Sequence, residues 1–427
     1  MNEFELINKF LNYCKEIIGN SNWDKRFIYI KQFLMDIKTK PIIIKPKNNE
    51  SGITYVSPLE LCKDIPMWYL FNLYCYIQYP DYCDITLIAR IAPKIIRIAE
   101  SLDSLKLCNG FSKKIFESLN SNSKNFENSI FEILVACTYL RNGASNVTFL
   151  FDKTQKMADL CVNMNGPLFV ECKRKAKESS YNEQERKAWY KQYLPIQEYF
   201  VNNNISLVLK VTFHNELNTY SPNYLYSLVI EKIKKEKIFS IEKPDISVIT
   251  YEPDFKTLNE QFDSKFKKYS PALFNLLFKR DNDLYGITPF MNGSGDLITD
   301  YIHDITVASA GLWYCDSKDA LEKKSLSFKR LICEAIEQIP DQQSGAIHIG
   351  YESYNGEIVE EKNFMRTIED MISLSLGQKK IEYIYIHNLK LMLPIDKNWD
   401  IEETVLPLQN LYATDDKFLK IPHILAF

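Results

Sequence analysis

Apolar positions recur along this chain at two spacings, and the change from one to the other divides it. Over residues 1–115 the spacing is helical: Ile7, Leu11, Cys14 and Ile18 return every three or four residues, and a second helix is predicted over Asp24–Ile37. The run Met67–Tyr79 (MWYLFNLYCYIQY) is 13 residues long and holds Asn72 and Gln78. A bilayer needs about 20 apolar residues, so this run predicts a buried helix and not a membrane span. Arg90, Lys94 and Arg97 fall on one face of a helix that Pro93 bends. A solvated face explains them better than a phosphate-binding stripe.

From Asn125 the pattern changes. Ile130–Leu140 is apolar nearly all round, as in a helix packed inside a domain, and Asn142-Gly143 supplies its stop. Short strand-like runs follow at Val147–Phe151, Ala158–Val162 and Leu168–Cys172. Helical spacing resumes over Glu183–Val201 through Trp189, Tyr193 and Ile196, and Ile205–Phe213 is a further buried strand. Helix, three strands, helix, strand predicts an α/β core with a partly antiparallel sheet.

After Lys243 a third region begins. It carries a strand at Ile246–Tyr251, helix over most of Asp254–Phe278, and a turn-rich connection at Asn282–Gly295. A helix through Phe328, Ile332, Ile336 and Ile339 ends at Pro340, before a strand Ala346–Tyr351, a helix near Phe364–Leu376 and a strand Ile381–His387. Whether this region extends the same sheet, packs beside it or holds a partner is open at this stage. The expected division is a mainly helical region over 1–115, a core over 116–243, and a C-terminal α/β region of unknown role over 244–427.

Composition changes this picture little. Hydrophobic residues at 46% and charged residues at 25% are ordinary for a globular protein. A net charge of −3 offers no overall attraction for nucleic acid, so such binding must rest on local patches. The ten cysteines include no Cys-x-x-Cys pair and the five histidines lie far apart, so zinc-site spacing is absent. Buried thiols and an N-terminus without a secretory pattern lead us to expect a cytoplasmic protein with no membrane association.

Candidate chemistry lies in ADLCVNMNGPLFVECK, Ala158–Lys173. Glu171 and Lys173 are two apart on a strand and project from one face. A two-residue Asn165-Gly166 turn would set Asp159 opposite Cys172, on the wrong face. A three-residue loop, Met164-Asn165-Gly166 with Gly166 left-handed, sets Asp159 opposite Glu171 instead. Glu132 sits in the apolar helix among Ile130, Phe131, Ile133, Leu134 and Val135, where an unpartnered carboxylate is costly. Three carboxylates and a lysine at one point suit a divalent cation that activates water against a phosphodiester. Asp159, Glu171 and Glu132 would hold the metal with the carbonyl of Cys172, and Lys173 would orient the water or stabilise charge.

Here the chain resembles the PD-(D/E)xK nuclease superfamily, the restriction-endonuclease-like fold, over roughly a fifth of its length. Ala158 stands where the superfamily's name has Pro, a position that varies widely. The resemblance implies a restriction-endonuclease-like core, an Mg²⁺- or Mn²⁺-dependent phosphodiesterase acting on DNA more often than RNA, and a role in restriction or anti-phage defence. It also leaves room for a separate ATPase or other defence-system protein as partner, and for an oligomer. The alternative is a catalytically inactive nuclease-fold module that binds nucleic acid or a protein.

Downstream, RKAKESSYNEQERKAWYKQY alternates cations with aromatic rings, which suits phosphates and bases. Arg174 and Lys175, next to the motif, are expected at the substrate, with Trp189 available to stack. No GxxxxGK[ST] or GxGxxG glycine loop occurs. His214 ends a strand and is in reach of the site or simply bonded at the strand end. Asp296, Asp300 and Asp304 with His303 read as an acidic helix face.

Overall fold

Two mixed sheets, each covered by helices on both faces, organise the chain. The structure is a computed structural model, and it describes residues 1–39, 62–121, 123–151, 157–175, 180–260, 266, 271–279, 286–295, 301–353, 379–392, 400–409 and 417–425. The expected helix near Phe364–Leu376 lies outside these residues, as do Asp296 and Asp300.

The N-terminal region is helical, as the spacing predicts: α1 (Glu3–Ile18), α2 (Asn20–Thr39), α3 (Ile65–Gln78), α4 (Ile85–Glu100), α5 (Leu102–Leu105) and α6 (Phe111–Leu119). A capping box starts α1, with Asn2 accepting from the Glu5 amide and Glu5 from the Asn2 amide, both at 2.9 Å. Helix α3 is buried along most of its length, in keeping with its apolar sequence. Among the described residues, no helix is long and apolar enough to cross a membrane. Helix α7 (Ser123–Arg141) follows, and Gly143 at φ 91° lets the chain turn out of it.

The first sheet begins with the meander β1 (Asn146–Phe149), β2 (Leu160–Asn163) and β3 (Pro167–Arg174). The chain then leaves it through α8 (Ser180–Asn202) to build a second sheet. That sheet comprises β4 (Val208–Phe213), β5 (Ser240–Glu242), β6 (Ile246–Tyr251), β7 (Gly286–Gly295) and β8 (Ile302–Cys315), in the order β5-β6-β4-β8-β7. Helices α8 and α9 (Tyr224–Lys235) cover one face, and α10 (Phe255–Glu260) and α11 (Pro271–Phe278) the other. Through α12 (Lys318–Ile336) the chain returns to the first sheet and adds β9 (Ser344–Ser353), β10 (Lys380–Met392) and β11 (Asp400–Gln409). The order there is β1-β2-β3-β9-β10-β11, with β9 parallel to both β3 and β10.

This topology corrects three expectations. The strand at Ile205–Phe213 was expected beside the meander, but β4 lies in the second sheet, and β9 pairs with β3. The expected boundary at residue 243 therefore does not follow the sheets. Both strands are largely buried, so pattern alone cannot choose between them. Close approach of α7 does choose: a Cβ on Gly350 of β9 would meet Phe131 Cε2 of α7 at 2.5 Å, so only glycine fits beneath that ring. The turn-rich stretch at Asn282–Gly295 contributes strand β7, paired antiparallel with β8. His303 and Asp304 also lie on β8, so they are strand residues and form no helix face.

Buried polar groups tie the first sheet together. Tyr139 of α7, His348 of β9, His387 of β10 and Glu403 of β11 form one hydrogen-bonded chain, with links of 3.1, 2.9 and 2.9 Å. Glu403 also accepts from the Ile424 and Leu425 amides at 2.9 and 2.7 Å, fastening the segment after β11. Burial, and then the neighbouring His387, hold His348 well below the ordinary histidine range, so its ring is neutral.

Candidate active site

The hairpin between β2 and β3 adopts the register that the chemistry requires. Asn163 pairs with Pro167 and Leu160 with Val170, leaving Met164, Asn165 and Gly166 as the loop and Asp159 opposite Glu171. Asn165 and Gly166 both take positive φ, at 51° and 123°. The Met164 amide donates to the Gly166 carbonyl at 3.0 Å, closing the turn.

Asp159 lies just before β2, and its Oδ2 accepts the Cys172 amide at 2.9 Å. In an extended strand a residue's N–H and C=O point to the same edge. The Cys172 carbonyl therefore faces the Asp159 side, while its thiol is buried in the apolar core. Glu171 is fully buried and its Oε1 pairs with Lys173 Nζ at 2.6 Å. Glu132 is brought in by α7, which packs against β3, and it pairs with Lys114 of α6. Sequence reasoning missed Lys114, because the helix FSKKIFESL gives no sign of which lysine turns inward.

Gln338, just past α12, is a second residue the sequence did not flag. With its amide oriented for both neighbours, the nitrogen donates to Glu171 Oε1 at 3.0 Å and the oxygen accepts from Lys173 Nζ at 2.7 Å. Gln338 thus bridges the Glu171–Lys173 pair.

Burial dominates the electrostatics. It pushes Glu171 and Glu132 well above the ordinary carboxylate range, and the neighbouring Asp159 carboxylate adds to both shifts. Asp159 is raised for the same reason, although the Cys172 amide opposes it. Burial alone would lower Lys173, but the Glu171 carboxylate outweighs it and holds the ammonium above its usual range. Lys173 is therefore a fixed positive charge and not a base.

Among the described residues no three His, Cys, Asp or Glu side chains already converge as a metal-ligand group. Lys114 pairs with Glu132 and Lys173 with Glu171, so two of the three carboxylates already hold an ammonium. The donor set is nonetheless all hard oxygen, and apart from its ion pair with Lys114 Glu132 Oε2 is buried without a hydrogen-bond partner. Such donors fit Mg²⁺ or Mn²⁺.

Other expected contacts are placed elsewhere. Arg174 points away from the site into a buried ion-pair cluster, with Glu127 and with Glu352 at 3.8 Å. Trp189 is fully buried in the core of the second sheet, stacked between Tyr193 and Trp313, with its indole N–H on Thr288 at 2.9 Å. Amphipathic packing, not base stacking, explains it. Lys175 lies over the Phe328 ring, 4.0 Å from its centroid. Arg90 and Lys94 join the Arg174 cluster, and Arg97 donates to the Leu425 carbonyl. His214 is bonded at the end of β4 to Asp316 and Ser247, at 3.0 and 2.8 Å.

No protein-family model matches this chain, and no curated protein is similar to it in sequence.

The raised carboxylates give a pH-dependent prediction. An acid whose folded pKa lies above its ordinary 4.5 binds more protons folded than unfolded, so its contribution to stability falls as pH rises above 4.5. A cation that replaces those protons stabilises more at higher pH. The rise in melting temperature on adding Mn²⁺ in place of EDTA is expected to be larger at about pH 8 than at about pH 5.5. Comparing metal with EDTA at each pH cancels groups such as His348. A rise of the same size at both pH values would contradict the assignment.

Proposed function

We propose that the protein is a divalent-metal-dependent nuclease that hydrolyses phosphodiester bonds, with DNA as the favoured substrate. The observation that carries this reading is the hairpin register: it sets Asp159 opposite Glu171, two residues before Lys173 on the same strand, with the Asp159 carboxylate close enough to raise both Glu171 and Glu132. The order of elements supports it. Helix α7, meander β1-β2-β3, helix α12 and strand β9 parallel to β3 resemble the PD-(D/E)xK core. The closing helix and strand then come from residues 318–353, and the second sheet is an insertion between β3 and α12.

Asp159, Glu171, Glu132 and the Cys172 carbonyl would hold Mg²⁺, which when bound supplies an activated water and neutralises the phosphate. Lys173, a permanent cation, stabilises negative charge that builds on the phosphate oxygens. Gln338 fixes the Lys173 ammonium so that little reorganisation is needed at the moment of reaction. A role in defence against foreign DNA, possible partners such as an ATPase, and the choice of DNA over RNA rest on the superfamily resemblance alone.

The test is incubation of plasmid and of single-stranded DNA with the purified chain in Mg²⁺, Mn²⁺ or EDTA. Nicking or linearisation with metal, and none in EDTA, is expected. Equal cleavage in EDTA would contradict the metal-dependent reading.

A further inference from the structure

Lys114 is carried by no part of the strand motif. It stands on α6, in the helical region before the first sheet, and its side chain is only 14% exposed. The start of α6 is fixed against β1. Gly110 at φ +82° opens the helix where a Cβ would meet Phe151 Cε2 at 2.6 Å and the Phe149 carbonyl at 3.0 Å. The Phe149 amide donates to the Asn109 carbonyl at 2.9 Å, and Phe111 packs on Tyr13 and Phe149. A rigid element therefore delivers this ammonium to Glu132.

Apart from this ion pair, Glu132 Oε2 is buried without a hydrogen-bond partner. Carboxylates in such surroundings need a counter-charge, and removing it is costly. With all three acids ionised, as a bound cation would hold them, Asp159, Glu171 and Glu132 against Lys114 and Lys173 leave one negative charge in the cluster. One divalent cation turns that into one positive charge, which a single phosphodiester monoanion cancels.

Resting on the metal-dependent nuclease reading above, we propose that Lys114 and the divalent cation compete for Glu132. Lys114 neutralises the carboxylate until a cation takes it, and the displaced ammonium then faces the phosphodiester beside Lys173. Lys114 thereby acts as a positioning residue for Glu132 and as a brake on metal loading. It couples cation binding to the appearance of a second positive charge at the substrate.

The test is Mn²⁺ titration calorimetry on the full chain, comparing wild type with Lys114→Gln, Lys114→Arg and Asp159→Asn. Removing the competing ammonium is expected to tighten Mn²⁺ binding about 10-fold in Lys114→Gln, with Lys114→Arg close to wild type. The same Lys114→Gln chain is expected to show a higher KM for DNA. Mn²⁺ affinity unchanged or weaker in Lys114→Gln, with binding still lost in Asp159→Asn, overturns the competition and leaves the metal site standing. Binding retained in Asp159→Asn, or none in wild type, overturns both. Should Lys114→Gln fail to fold, acetic anhydride labelling of wild type with mass-spectrometric readout decides the matter. Lys114 is expected to be acetylated several-fold faster in Mn²⁺ than in EDTA, and equal rates overturn the proposal.

Discussion

Lys173→Met is expected to lower Mg²⁺-dependent cleavage by about 10²–10³-fold, the usual cost of deleting one preorganised group that stabilises transition-state charge. Methionine keeps most of the side chain's volume, so the loss reports on charge and not on packing. The ammonium is held by Glu171 at 2.6 Å and donates to the Gln338 side-chain oxygen at 2.7 Å. Asp159→Asn is expected to remove activity further, because it takes away the charge of a proposed metal ligand while its amide oxygen can still accept the Cys172 N–H. Both variants should keep the wild-type circular dichroism spectrum. Cleavage within threefold of wild type in both would remove the site assignment.

The largest effect on stability is expected at Glu352, on β9. Arg90 at 3.1 Å, Lys94 and Arg174 all converge on this carboxylate, whose side chain is 8% exposed. Burial alone would raise it, but Lys94, Arg90 and Arg174 together outweigh burial and hold it at about 2. Among the described residues, Glu352→Gln leaves Glu127 as the carboxylate paired with Arg90 and Arg174. Removing one partner of a buried ion cluster costs about 3–5 kcal/mol, read as a fall in the urea midpoint. A second substitution, Lys94→Met, is expected to restore part of that loss by removing an unpaired charge. For the wild type, a depressed carboxyl contributes stability above its ordinary 4.5 that is lost as pH falls toward 2. A midpoint for Glu352→Gln within about 0.5 kcal/mol of wild type would contradict a structural role for the cluster.

This cluster also shows why Arg174 escaped a correct reading from sequence. A cation following Glu-x-Lys looks like a phosphate contact, and nothing local reveals that Glu127 and Glu352, far apart in the chain, will surround it. Trp189 misleads for a related reason: a tryptophan among lysines on an amphipathic helix fits stacking and core packing equally. The glycine that admits its ring, Gly311, lies on β8, where a Cβ would meet Trp189 Cζ2 at 2.6 Å.

What was legible is local. Gly166 allows the three-residue loop and the need to bring Asp159 opposite Glu171 selects it over the two-residue turn, and the inward Glu132 follows from the apolar residues around it. Strand Ile246–Tyr251 appears where the pattern placed it, and the strands at Ala346–Tyr351 and Ile381–His387 lie within longer ones. What was not legible is which sheet a buried strand joins. That depends on contacts such as Phe131 over Gly350, between residues more than two hundred positions apart. Lys114 and Gln338 were hidden in the same way, since tertiary packing alone brings them to the acids.

The central claim is that Asp159, Glu171 and Glu132 close around one divalent cation, and a crystal soaked in Mn²⁺ tests it most directly. An anomalous difference peak is expected among those three carboxylates and the Cys172 carbonyl, with oxygen distances near about 2.2 Å and Lys114 withdrawn from Glu132. Ordered carboxylates with Lys114 and Lys173 still seated on them, and no peak at saturating Mn²⁺, would contradict it.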